Sequence, residues 1–359
     1  MGAPGRRPAR RSPGGGARRP VLAASPAGSA VTALIAAGAA RAAYAALTRD
    51  PPGGPGRWTR TNHRGEPVTL LEGPAAAAAG AVAASVAAGI PARQRAALAV
   101  ASVGAAVFGG YDDLAGSGDR RGFRGHLGAL AHGQVTTGSV KIAGIGATGI
   151  AAGALTGGPA MDLAINSALV AGTANLLNLF DLRPGRAIKV VLATGLPLAA
   201  SQLAIRPAGP GASAARKAGA AAPVGAAPAA AAVAPLGAAL ALLPDDLGER
   251  AMLGDAGANA LGAMLGTAAA IGLSRRSRVA MLAAVTALTA ASEVVSFTKV
   301  IERTPPLRWL DMLGRRPVAP RPAGDRSPDA GPAPAAATSA GAPADEETGP
   351  SALAAAHIP

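Results

Sequence analysis

Apolar runs of helix length alternate with short polar loops along most of this chain. The runs fall near Val21–Leu47, Pro74–Ile90, Ala96–Gly110, Gly138–Leu155, Leu163–Phe180, Ile188–Ile205, Ala221–Leu243, Ala256–Leu273 and Val279–Phe297. Each is close to the roughly 17 to 25 residues that a helix needs to cross the hydrocarbon of a bilayer. The pattern predicts an all-α, polytopic membrane protein with about nine spans. Pro223, Pro228 and Pro235 would kink or interrupt the seventh run. Residues 1–20, with Arg6, Arg7, Arg10, Arg11, Arg18 and Arg19 among Gly and Pro, read as a disordered basic arm, and 317–359 as a disordered Pro- and Ala-rich tail. The membrane domain is therefore expected over 21–316. A basic segment followed by an apolar one also has the form of a signal peptide, but no soluble domain follows, so the first run is read as an anchor.

Composition sharpens this picture. Half of the 359 residues are hydrophobic, yet only 2% are aromatic and 15% charged. A soluble core of this size would draw much of its buried area from rings, whereas Ala, Gly, Val and Leu suit close helix packing in lipid. The absence of cysteine excludes disulfides, thiolate metal sites and cysteine nucleophiles. The net charge of +14 invites comparison with nucleic-acid binders. Here the cations form short clusters between apolar runs, with few rings to stack on bases, so no nucleic-acid partner is expected. Segments 49–73, 111–137, 181–189, 244–255 and 298–322 would share one face and carry 17 Lys and Arg, against 8 in the opposite loops. The positive-inside bias puts the first set in the cytoplasm of a multi-pass plasma-membrane protein. Trp58 and Trp309 fall in the same set, as interfacial anchors would. The N-terminal arm, whose six arginines land on the other face, runs against the bias.

The chemistry-bearing residues gather in the same five segments. Tyr111-Asp112-Asp113 closes an apolar helix and is followed by Arg121, Arg124 and His126. Asn175, Asn178 and Asp181 recur at a spacing of three, which places them on one helical face. Asp255 lies in Gly254-Asp255-Ala256-Gly257, a glycine-flanked acid that opens a helix. Each cluster has a plain structural reading as well: Asp112 and Asp113 as a solvated helix end, the amides as interhelical hydrogen-bonders, Asp255 as an N-cap, and His126 and His132 as loop histidines. Taken together, acids converging from separate helix ends make a hard-oxygen set suited to Mg²⁺ and a diphosphate, with Arg121, Arg124 and Lys141 as cationic neighbours.

The ordered set of a polar loop at 61–74, then Asp112-Asp113, then Asn175, Asn178 and Asp181, then Gly254-Asp255-Ala256-Gly257 resembles the polyprenyl-phosphate N-acetylhexosamine-1-phosphate transferases. That superfamily includes phospho-N-acetylmuramoyl-pentapeptide transferase and the undecaprenyl-phosphate GlcNAc-1-phosphate transferases. The resemblance spans roughly 59–316. It implies about ten transmembrane helices around a cytoplasmic cleft, and transfer of a sugar-1-phosphate from a UDP-sugar to a polyprenyl phosphate with release of UMP. The cofactor implied is Mg²⁺ or Mn²⁺; a homodimer is compatible with it. Asp112, Asp113 and Asp255 match the catalytic acids, Asp113 and Asp255 the metal contacts, and Asn178 and Asp181 the element near the nucleotide. Asn175, Arg121, Arg124, His126 and Lys141 complete the expected substrate set.

Three departures mark this sequence. No lysine follows Asp113 closely; Arg120 or Arg121 could replace the charge of that lysine but not its shape. Leu182-Arg183-Pro184-Gly185 stands where a second acid is usual, and the last loop, Glu302 to Asp311, lacks the histidines of better-known members. The sugar is therefore left open, and a catalytically weakened relative that binds the lipid carrier or scaffolds envelope enzymes is the alternative.

Overall fold

Helices account for most of what the computed structural model describes, namely residues 26–87, 89–116, 125, 128, 129, 131–204 and 227–317. In chain order the long helices are α1 (Pro26–Arg49), α2 (Glu72–Val86), α3 (Ala92–Ala115), α4 (Thr137–Thr156), α5 (Ala160–Phe180), α6 (Arg186–Ala204), α7 (Ala227–Leu247), α8 (Gly254–Gly272) and α9 (Arg275–Ser292). Two short helices follow, α10 (Phe297–Arg303) and α11 (Pro305–Met312). Every apolar run expected from the sequence is thus represented by a helix. The basic arm, the tail beyond Pro317, and Arg121, Arg124 and His126 lie outside the described residues.

The expected count of about nine spans is not reached by length and composition alone. Among the described residues, five helices, α1, α3, α4, α5 and α7, are long and apolar enough to cross a membrane, and a sixth joins them if α9 and α10, which meet at 94°, form one broken span. Helix α2 has 15 residues, a length of roughly 22 Å that falls short of the hydrocarbon thickness. Helices α6 and α8 are not among the five, and each carries polar residues, Arg186, Lys189 and Gln202 in α6 and Asp255 and Asn259 in α8.

Helix α8 is the centre of the bundle, packed by α3, α5, α2 and α7. All of its 19 residues except Asp255 and Ile271 are buried. Glycine makes this burial feasible: a Cβ on Gly262 would stand 2.4 Å from the Thr173 carbonyl oxygen of α5. The two backbones therefore touch, and dispersion between them replaces the large side chains that the sequence lacks. The core around α8 is correspondingly Ala-rich, with Leu98, Leu169, Ile188, Leu242 and Leu261 as its larger members.

The loops expected on one face are found together. Strands β1 (Thr59–Thr61) and β2 (Pro67–Thr69) form an antiparallel hairpin with Arg60 opposite Val68. Its turn is set by Asn62, whose side-chain oxygen accepts from the N–H of Arg64 (2.8 Å) and of Glu66 (2.9 Å). Thr69 then bridges in parallel to Ala251 in the α7–α8 loop. Arg316 pairs with Glu66, and Arg60 donates to the Asp113 carbonyl, which ties in the last loop and the end of α3. The Arg186 guanidinium grips Asp311 through two bonds, at 2.7 and 3.1 Å, and closes the ring of contacts. A separate network of Asp162 and Asn166 on α5 with Arg275 and Arg278 on α9 lies among the opposite loops.

Candidate functional site

Three helix ends build the centre of the site. Asp112 and Asp113 occupy the last turns of α3, Asp255 the first turn of α8, and Lys141 the first turns of α4. Helix α4 starts where it does because Thr136 and Ser139 cap it reciprocally: Thr136 Oγ1 accepts from the Ser139 N–H (3.0 Å), and Ser139 Oγ from the Thr136 N–H (2.9 Å). Lys141 therefore sits at a defined height against α3 and α8.

From there its ammonium reaches Asp112 Oδ2 at 2.5 Å and Asp255 Oδ2 at 2.6 Å. The sequence separates Asp112 and Asp255 by more than a hundred residues; one lysine joins them. The site keeps access to solvent, since the Lys141 and Asp255 side chains are 17% and 26% exposed.

Asp113 has a different occupation. Its Oδ1 accepts from the Asp255 N–H and its Oδ2 from the Ala256 N–H, both at 2.9 Å. The orphan N–H groups at the start of α8 thus find their cap on another helix, where the partial positive charge of the helix end favours a carboxylate. Gly254 makes room: its φ is +59°, and a Cβ there would stand 3.0 Å from Asp113 Oδ2. Gly109 does the same for the backbone, since a Cβ on it would fall 2.3 Å from the Asp255 carbonyl oxygen. One reading of the sequence is therefore replaced: Asp255 does not cap its own helix, whereas both carboxylate oxygens of Asp113 accept from the backbone of α8.

Asp181 follows the last turn of α5, and one of its carboxylate oxygens is buried without a hydrogen-bond partner among the described residues. Burial, reinforced by the negative charges of Asp246, Asp255 and Asp113, pushes its carboxyl well above the usual range. Asn175 and Asn178 lie half-buried on α5, and no side-chain hydrogen bond joins either to Asp181 among the described residues. His132 is exposed and contacts the Gly128 carbonyl of its own loop at 2.7 Å, which is the plain reading of that residue.

Beside Asp181 opens a cavity of about 250 Å³, lined by Asn62, His63, Arg183, Asp246, Glu249 and Met252 among others. Its rim is rigid. Glu249 holds a left-handed φ of +56° and accepts from Arg64 Nε at 2.9 and 3.0 Å and from Asn62 Nδ2 at 3.0 Å. His63 lies 3.8 Å from Glu249 Oε2; burial holds its imidazole below the ordinary value, against the opposing pull of Glu249. Asp246 Oδ2 and both carboxylate oxygens of Glu72 are buried without partners among the described residues. Sequence reasoning passed over Glu72, Asp246 and Glu249. The available signal was an acid inside Leu70-Leu71-Glu72-Gly73 and a second Asp-Asp pair at Asp245-Asp246.

Among the described residues, no group of three or more His, Cys, Asp or Glu side chains is arranged to hold a metal ion. Asp112 and Asp255 nevertheless converge on one point through Lys141. Mg²⁺ is commonly held by one or two carboxylates, water and substrate phosphates, so this pair fits such an ion by donor type. No protein-family model matches the chain, and no curated protein matches it.

Proposed function

We propose that the protein is an integral-membrane transferase that moves a sugar-1-phosphate from a UDP-sugar to a polyprenyl phosphate, releasing UMP, in cell-envelope glycan synthesis. The observation that carries this reading is the meeting of Asp112, Lys141 and Asp255 from three separate helices, with Asp113 holding α8 in place. An oxygen of the lipid phosphate attacks the β-phosphorus of the UDP-sugar, and the bond to the UMP oxygen breaks. Phosphoryl transfer of this kind asks the protein for positioning and charge more than for covalent chemistry. Lys141 supplies a fixed cation beside the transferred group, and Asp112 orients it. Asp113 sets the position of the α8 N-terminus by accepting from its N–H groups. The cavity beside Asp181 suits the nucleotide, with Asn62, His63 and Arg183 at hand. Asp112 and Asp255, the carboxylates that Lys141 bridges, would hold a divalent cation, Mg²⁺ or Mn²⁺, which would supply Lewis-acid neutralisation of the diphosphate. In this reading α2, α6, α8 and α9 also cross the bilayer, giving nine of the nine to ten expected spans, and the cleft faces the cytoplasm.

The test is UMP release by purified protein given Mg²⁺, a polyprenyl phosphate and a panel of UDP-sugars. Asp255→Asn and Lys141→Met should each lower the rate by about 100-fold or more, with insertion unchanged; unchanged rates would remove both from the site. The absence of histidines from the last loop favours a second reading, a relative that binds the lipid carrier without turnover. Lipid-phosphate binding with no UMP from any donor would select it.

A further inference from the structure

Helix α11 is built inside out. Of its eight residues only Asp311 is buried, and that carboxylate is taken by Arg186 and Arg315. The side chains facing outward are the large apolar ones: Leu307 is 42% exposed, Trp309 67%, Leu310 43% and Leu313, just past the helix, 51%. Trp309 and Leu313, four residues apart, share the face opposite the buried acid. Exposing such a row to water forfeits most of what its burial would return. The segment is not a loose end that turned outward by chance. Its inner face is fixed by the Arg186–Asp311 fork, by Lys189 donating to the Asp311 carbonyl at 2.6 Å, and by Phe297 of α10 stacked on Phe180 with ring centroids 4.9 Å apart.

The charges around this face are predominantly positive. Between 297 and 317 there are five cations, Lys299, Arg303, Arg308, Arg315 and Arg316, against two acids, Glu302 and Asp311. A shallow groove of about 640 Å³ runs between α10 and α11, with Arg303 and Arg308, and the single acid Glu302, beside Trp309, Met312 and Leu313. Guanidinium groups beside an indole and aliphatic surface match a phosphate headgroup above an acyl chain. The helix also stands at the end of the bundle where the other basic loops gather, next to helices long enough to cross a membrane.

We infer that α10 and α11 form an interfacial anchor that lays Trp309, Leu310 and Leu313 into the headgroup–acyl boundary of an anionic leaflet, with Arg303 and Arg308 on the lipid phosphates. The partner is the phospholipid surface itself. Amphipathic segments bind such surfaces by apolar area together with basic charge, and Trp favours that depth. This inference rests on the protein being membrane-inserted and not on the transfer reaction, so failure to release UMP leaves it standing.

Trp58 and Trp309 are the two tryptophans of the chain, so Trp58→Phe leaves Trp309 as sole reporter. The full-length variant is reconstituted in nanodiscs of phosphatidylcholine with and without phosphatidylglycerol, each including a lipid spin-labelled high on its acyl chain. Trp309 emission should shift to the blue and fall by roughly half, more so with phosphatidylglycerol. Arg303→Glu with Arg308→Glu should erase the phosphatidylglycerol dependence. If Trp58→Phe fails to fold, Trp309→Cys bearing a polarity-sensitive dye in this cysteine-free chain gives the same readout. No quenching by the labelled lipid overturns the anchor. Protection from aqueous acrylamide without lipid quenching also overturns it and assigns the face to a second copy of the chain. Quenching that ignores both phosphatidylglycerol and the charge reversal overturns the anionic partner.

Discussion

Asp112 and Asp113 are adjacent in sequence and divide their work in space. Successive residues on a helix point about 100° apart, so two neighbouring carboxylates cannot converge on one atom unless the backbone bends. One turns to Lys141 and the other to the N–H groups of α8. The dipeptide announced an acidic site, but nothing local to it could tell which acid would meet the lysine. The difference is measurable as stability. Asp113→Ala removes the cap of the central helix and should cost about 1 to 2 kcal/mol, read as a lower melting temperature in detergent. Asp112→Ala leaves Lys141 paired with Asp255 and should cost less. Equal losses would mean that the cap contributes nothing particular.

Elements are held together by what small residues permit. Gly262→Ala in α8 drives a methyl group into the Thr173 carbonyl at 2.4 Å and should destabilise by about 1 to 3 kcal/mol. Gly38→Ala in α1, where an added Cβ meets nothing within 4 Å, should be neutral or stabilise by up to about 1 kcal/mol. The same denaturation assay compares the two; similar outcomes would discount the close helix contact. The anchoring of α11 has a pH signature. Burial alone would raise the Asp311 carboxyl, yet the Arg186 fork, with Arg315 and Lys189, holds it below the usual range. A depressed acid stabilises the fold above its unfolded value near about 4, and that contribution is lost as pH falls through the lower folded value. Stability in detergent should therefore decline below about pH 4, and Asp311→Asn should flatten that decline while lowering stability at neutral pH, since it leaves Arg186 buried without its charge partner.

At the scale of the molecule, five loops far apart in sequence meet at one end of the bundle and the Asp162–Arg275 network lies among the opposite loops. The chain has no cysteine, so single cysteines report sidedness directly. With the basic loops in the cytoplasm, Thr59→Cys should react with an impermeant thiol reagent only in inside-out vesicles, and Arg276→Cys only in right-side-out ones. The reverse pattern would invert the orientation, and labelling of both from one side would dismantle the bundle topology.

The run of apolar residues was enough to locate the helices, because burial of an Ala-, Leu- and Val-rich segment and internal satisfaction of its backbone favour the helix without distant partners. Loop charge and the order of the acidic segments were legible for the same reason: both are properties of the string of residues. The five or six apolar spans found among the described residues, against nine apolar runs, depend on helix length and mean hydropathy. What tertiary structure alone decided was who meets whom. Lys141 lies between Asp112 and Asp255, Asp113 caps α8, and Glu72, Asp246 and Glu249 crowd the region of Asp181, because helix packing through Gly109, Gly254 and Gly262 sets distances that no local pattern encodes.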